Sequence, residues 1–159
     1  MKKEHFSFEY QVYDAQSDLN VDSGLLFASA MDALKNSYSP YSNYPVAAAV
    51  LLDNGEVITG SNQENAAYPS GMCAERVAVF SAKSQYPKAK IEQLAIVVAS
   101  DDGGVVAPCG ACRQVLIEYE LLQEDTFLLI LGSPKGKIYT FSGLRGLLPF
   151  YFGPDKLKK

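Results

Sequence analysis

The chain has 159 residues, 48% hydrophobic and 20% charged, with a formal net charge of −4. That length supports one domain that buries about 68–70% of its unfolded surface without help from disulfides, and the composition excludes wholesale disorder. The acidic balance argues against a protein that grips nucleic acid phosphate, and no apolar run reaches the roughly 18 residues of a membrane span.

Residues 1–22 are polar and aromatic without a clear period and read as an N-terminal extension ahead of a single domain over 23–159. The segment Met1 to Tyr10 carries Lys, Glu and His and no signal-like apolar stretch, so the expected location is the cytoplasm. A helical stripe of Leu25, Leu26, Ala30, Ala33 and Leu34 follows, with Asp22 or Ser23 as its cap. Two prolines make Ser39 to Pro45 a loop. An apolar strand over 46–52, an Asp53-Asn54-Gly55 turn and a returning strand over 56–62 form a hairpin. Pro69-Ser70-Gly71 precedes a helix over 73–83, and a buried strand over 91–99 ends at Asp101-Asp102-Gly103-Gly104. Pro108 opens a helix over 109–119. Strands over 126–131 and 138–141 flank the turn Ser133-Pro134-Lys135-Gly136, and 144–148 is a helical turn. The order implies a mixed sheet of about five strands, with parallel crossovers in its later half and helices on both faces: a three-layer α/β/α sandwich.

The chemistry concentrates in three cysteines and one scarcity. The single histidine is His5, in the polar N-terminus, which disfavours Ser-His-Asp and Cys-His chemistry and histidine-rich zinc sites. Cys109-Gly110-Ala111-Cys112 is a C-x-x-C that fits a zinc half-site, a redox pair or small buried hydrophobes, and Cys73 stands apart from it. Both cysteine positions open a helix, where free N–H groups and the helix dipole stabilise thiolates. Cys109 and Cys112 share one face of a first turn and can grip one ion together, with Cys73 as the third sulfur. Three thiolates leave one position of a tetrahedral zinc open to water, the arrangement of a catalytic site. Glu75 can face the same ion only if its helix begins close to Cys73; it would then be a general base rather than a ligand, whereas taken alone it reads as a solvated glutamate favoured by the dipole at a helix start. Arg76, three residues after Cys73, lies on that face to offset the charge of the sulfurs. Arg113 is a second candidate for this task, or a surface residue.

Cys73-Ala74-Glu75 with Pro108-Cys109-Gly110-Ala111-Cys112 matches the zinc nucleoside and nucleobase deaminase signature. Asn62 to Tyr68, Cys73 to Arg76 and Pro108 to Gln114 more closely resemble cytidine deaminases of the small homotetrameric class, and the similarity runs over about 25–157. The resemblance implies zinc held by Cys73, Cys109 and Cys112, with Glu75 shuttling protons. It implies Asn62 and Glu64 as binders of ribose hydroxyls and the Ala74 N–H at the pyrimidine carbonyl. Tyr44 stands where the family commonly has Phe near the base. Phe152 matches an aromatic that stacks on the pyrimidine in a neighbouring subunit, and Tyr68 a residue near the subunit junction. Gln63 departs from the more usual apolar residue.

The expected activity is hydrolytic deamination of cytidine and deoxycytidine to the uracil nucleosides with release of ammonia, in pyrimidine salvage. The expected partners are a small nucleoside and other copies of the chain, with neither nucleic acid nor membrane. A zinc deaminase acting on a modified nucleoside, free base or aminonucleoside antibiotic is one rival. A non-catalytic zinc module is another, and it leaves Glu75 and the open coordination position without a purpose. A thiol redox protein on Cys109 and Cys112 is the third.

Overall fold

The sheet is organised around β2 (Val46–Leu52), a strand whose Ala47, Ala48, Ala49 and Val50 are wholly buried. The computed structural model describes residues 1–99 and 104–157, so most of the strand-ending turn expected at Asp101-Asp102-Gly103-Gly104 lies outside the described residues. β2 turns through Asp53-Asn54-Gly55 into β3 (Val57–Ser61), with Gly55 at φ 83°, as the Asn-Gly pair predicts. The other strands are β1 (Gln11–Tyr13), β4 (Ile91–Val98), β5 (Leu128–Gly132) and β6 (Ile138–Ser142). They form one mixed sheet in the order β1-β6-β5-β4-β2-β3. Only β4 and β5 run parallel, joined across α3 (Gly110–Leu122) by the expected kind of crossover. α2 (Ala74–Gln85) carries the chain from β3 over β2 to β4, which pairs antiparallel with β2.

Among the described residues the sheet has six strands, one more than the five read from the sequence. The addition is β1, which pairs Gln11 with Thr140, Val12 with Tyr139 and Tyr13 with Ile138 along the outer edge of β6. It is three residues long and mostly exposed, so it lacks the alternation that reveals a half-buried strand.

Alternating side chains of the central strands feed two cores. Ala48, Val50, Leu94, Ile96, Leu129 and Leu131 face α2 and α3, while Ala49, Ala95, Val97 and Ile130 face α1 (Val21–Ala33). α1 starts earlier than the stripe suggested, because Asn20 caps it: its Oδ1 accepts from the Ser23 N–H at 2.9 Å. Phe27 takes the core position assigned to Leu25, which is 65% exposed. Among the described residues no helix is long and apolar enough to cross a membrane.

One close approach fixes α2 against the sheet. A Cβ on Gly60 of β3 would lie 2.4 Å from the Ala78 nitrogen and 2.8 Å from the Ala74 carbonyl oxygen. Glycine lets the first two turns of α2 sit directly on β3, and the N-terminus of α2 is where the site begins.

Candidate active site

Cys73 is the N-cap of α2, with extended φ −72° and ψ 150°, and Ala74 is the first helical residue. This is the start that Glu75 needs if it is to share a side with Cys73. Cys109 caps α3 in the same way, at φ −63° and ψ 166°. Neither cap residue uses its side chain to bond its helix, so both sulfurs are available to a ligand.

The three Sγ atoms of Cys73, Cys109 and Cys112 all lie within 4.8 Å of one another, close enough to hold one metal ion. Cys112 is buried, Cys73 half-buried and Cys109 exposed, so the group is sealed behind and open in front. The Cys73 thiol is lowered to about 5, chiefly by a hydrogen bond with Cys112 and then by Arg76. Cys112 is pushed the other way by the same bond, by burial and by the charge of Glu75. One sulfur thus ionises readily and its neighbour holds the proton, a sharing that a divalent cation among three sulfurs replaces. Arg76 Nη2 donates to Cys73 Sγ at 3.6 Å, as its position on the helix predicts. Its Nε is buried without a hydrogen-bond partner.

Glu75 is 4% exposed, and burial raises its carboxyl above the ordinary range, partly countered by hydrogen bonds from its own backbone N–H and from Cys112. It lines a cavity of about 380 Å³ together with Cys73, Ala74, Cys109, Asn62 and Tyr44. A second cavity of about 480 Å³ adjoins it, and both are bounded by Ser42, Asn62, Glu64 and Cys73. Tyr41 and Tyr68 meet edge to face at 6.3 Å on the wall of the second.

Asn62 and Glu64 follow the end of β3, and both also hold the preceding loop. Asn62 Oδ1 accepts from the Val46 N–H at 2.9 Å and from the Ser37 hydroxyl, and Nδ2 donates to the Tyr44 carbonyl at 3.0 Å. Glu64 Oε2 accepts from the N–H groups of Tyr41 and Ser42 at 2.9 and 3.2 Å. A hydrogen bond from the Ser42 side chain, and then these two, hold its carboxyl below the usual range. Gln63, between them, donates to the Ser61 hydroxyl at 3.1 Å.

Phe152 lies outside both cavities of its own chain, and its side chain is exposed. Its backbone is fixed by Gln114, whose Nε2 donates to the Phe152 carbonyl at 2.8 Å and whose Oε1 accepts its N–H at 3.3 Å. Arg113 does not share the task of Arg76. Its Nε donates to the Pro108 carbonyl at 2.7 Å and its Nη1 to the Leu147 carbonyl at 2.9 Å, which ties the C-terminal segment to the residue before Cys109. The sequence reading also missed the apolar wall of Val106 and Ala107. Its one signal was position, immediately before Pro108.

Comparisons with known proteins agree with this geometry. Residues 22–124 match the family model for the cytidine and deoxycytidylate deaminase zinc-binding region. The cytidine deaminase of Halalkalibacterium halodurans is 41% identical over 137 residues, which are 86% of this chain and 98% of that protein. The cytidine deaminase of Mycobacterium tuberculosis is 41% identical over 140 residues, 88% of this chain and 96% of its own. The crystal structure of cytidine deaminase from Burkholderia pseudomallei superposes with a TM-score of 0.69 at 38% identity, covering 80% of this chain and 97% of that one. The matched region contains all three cysteines and Glu75, and near-complete relatives align with most of the chain. The cysteine cradle at two helix starts therefore belongs to a member of the cytidine and deoxycytidylate deaminase family.

Proposed function

We propose that the chain catalyses the zinc-dependent hydrolytic deamination of cytidine and deoxycytidine to uridine and deoxyuridine, releasing ammonia. The observation that carries this reading is a buried carboxyl, Glu75, beside three sulfurs on the wall of a cavity of about 380 Å³. A closed structural zinc site has no use for either the carboxyl or the cavity.

Cys73, Cys109 and Cys112 would hold the zinc, which supplies Lewis acidity and brings the pKa of a water toward ~7. Glu75 takes a proton from the attacking water and delivers it to N3 of the pyrimidine as the oxygen adds at C4. The same carboxyl then carries the proton of the added hydroxyl to the exocyclic amine, which leaves as ammonia as the C4–N bond breaks and the C4 oxygen becomes a carbonyl. Burial suits Glu75 to this double duty, because a carboxyl raised above its ordinary range is a stronger base and holds the proton it must later give back. Arg76, donating to Cys73, offsets the negative charge of the sulfurs.

Asn62 and Glu64 are assigned the ribose hydroxyls. Support comes from their shared place on both cavities and from the Glu64 Oε1 and Asn62 Nδ2 atoms, each with bonding capacity left. Tyr44 packs near the base, and the Ala74 N–H meets the pyrimidine carbonyl. Phe152 is assigned to the site of a neighbouring subunit in a homotetramer. Its exposed ring outside its own cavity supports a role there. Cytoplasmic pyrimidine salvage is the setting proposed for the reaction.

The test is ammonia release and absorbance loss with cytidine and deoxycytidine, with zinc determined on the same sample. Turnover with about one zinc per chain is expected. Zinc without turnover on either nucleoside would overturn the substrate assignment, and absence of both would overturn the metal site.

A further inference from the structure

The family model begins at residue 22, yet the segment before it is built into the molecule. Upstream of β1, Phe8 and Tyr10 lie over the strand that β1 joins. Phe8 stands 6.4 Å from the ring of Phe141, and Tyr10 5.5 Å from Phe141 and 5.7 Å from Tyr139. Phe8 also seats on the turn after β6. A Cβ on Gly146 would lie 2.9 Å from its ring, so the ring rests directly on that backbone.

The turn beneath Phe8 has two ties to α3. Buried Glu120 accepts the Leu144 N–H at 2.8 Å, and Arg113 donates to the Leu147 carbonyl at 2.9 Å. The other arm of Arg113 ends on the Pro108 carbonyl at 2.7 Å, one residue before Cys109. Cys109 is the exposed ligand candidate at a helix cap, so its sulfur is the one least fixed by packing.

We infer that the N-terminal segment is a brace for the metal arm: Phe8 fixes the turn at Gly146, the turn fixes Arg113, and Arg113 fixes Pro108 and with it Cys109. Arg113 is then a positioning residue that reaches no substrate atom. Its planar fork suits a bridge between two carbonyls, whereas a lysine ammonium in its place would hold only one of them well. The inference rests on the zinc reading for its metal readout and on hydrogen bonding alone for its second.

The test measures zinc release to a chromogenic chelator from the loaded full chain, for wild type, Phe8→Ala, Phe8→Tyr, Arg113→Lys and the Phe8→Ala/Arg113→Lys double variant. Partners that orient metal ligands are worth about 10–100-fold in affinity. Arg113→Lys should therefore speed release by about tenfold, and the more remote Phe8→Ala by about threefold or more. Phe8→Tyr keeps the ring and should restore the wild-type rate. The double variant should release zinc no faster than Arg113→Lys alone, because both act through one chain of contacts. Phe8→Ala that lowers the melting temperature and leaves release unchanged would overturn the brace, as would effects that multiply. Amide exchange of residues 109–113 in metal-free protein is the second readout, and Phe8→Ala should speed it. Unchanged exchange there overturns the brace even if the wild-type chain takes up no zinc, a result that would separately sink the metal reading.

Discussion

Replacing Gly60 by alanine tests whether the seat of α2 sets the chemistry. The new Cβ would lie 2.4 Å from the Ala78 nitrogen and 2.8 Å from the Ala74 oxygen, against ordinary contact from 3.4 Å. Both atoms are helix backbone, so no side chain can swing aside. Relief requires α2 to retreat by about 1 Å, or β3 to bow by as much. Overpacking of this kind costs about 1–3 kcal/mol, to be read from urea unfolding of the zinc-loaded protein. Cys73 and Glu75 sit at the end of α2 that moves, and a misplacement of about 1 Å is worth about 10²-fold in rate. The expected variant is folded, zinc-bound and about a hundredfold down in kcat/KM for cytidine. If kcat/KM stays within threefold of wild type while stability falls, α2 is not positioned by this contact, and the reasoning from Gly60 to Glu75 fails.

Glu75→Gln keeps size and packing and removes the proposed base. Zinc should stay near one per chain while kcat falls by about 10²–10⁴, and near-normal turnover would remove Glu75 from the proton path. Phe152→Ala should lower kcat/KM by about 5- to 150-fold, the equivalent of one stacking contact of roughly 1–3 kcal/mol. Unfolding it together with Glu75→Gln and refolding the mixture should restore part of the activity, through sites that draw Glu75 from one chain and Phe152 from the other; no recovery would refute shared sites. Burial raises the Glu120 carboxyl above its unfolded value, so the folded state keeps that proton to higher pH. Its contribution to stability is therefore fully present below about pH 4 and is lost as pH rises through the folded value. Glu120→Gln keeps an acceptor for Leu144 and carries no charge, so urea unfolding should show it gaining on wild type between pH 4 and 7. A wild type that gains on the variant over that range would reverse the sign.

The parts of the fold legible in sequence were those with a local cause. Asn54-Gly55 specifies a turn whatever surrounds it, and an apolar run such as 46–52 needs burial on both faces. The cysteine cradle was legible for a similar reason: C-x-x-C brings two sulfurs together within one helical turn, and a helix starting at Cys73 brings Glu75 to its side. Features held by distant backbone were not. β1 exists because β6 offers an open edge and aromatic rings to cover, and nothing in Gln11-Val12-Tyr13 announces either. Arg113 read as an aid to the sulfurs or as a surface residue because its partners are two carbonyl oxygens, which any residue supplies and no sequence marks. Phe27 takes the core place read for Leu25 because the buried face of α1 runs through Ser23, Leu26, Phe27, Ala30 and Ala33, and Leu25, also apolar, lies just off it.

The two cores flanking β2 divide the chain's obligations. The candidate ligands and base lie at the starts of α2 and α3, the candidate substrate contacts lie after β3, on the loop before β2, at the start of α2 and in the C-terminal segment, and the layer built on Leu26, Phe27 and Ala30 contains none of them. Ala48 and Ala49 stand back to back on neighbouring positions of one strand, each committed to a different layer. Sequence drift behind α1 is thus answerable to packing alone, whereas drift on the opposite face answers to packing and to turnover together. A stabilised enzyme is best sought by rebuilding the α1 layer, where gains in cohesion carry no toll on the reaction.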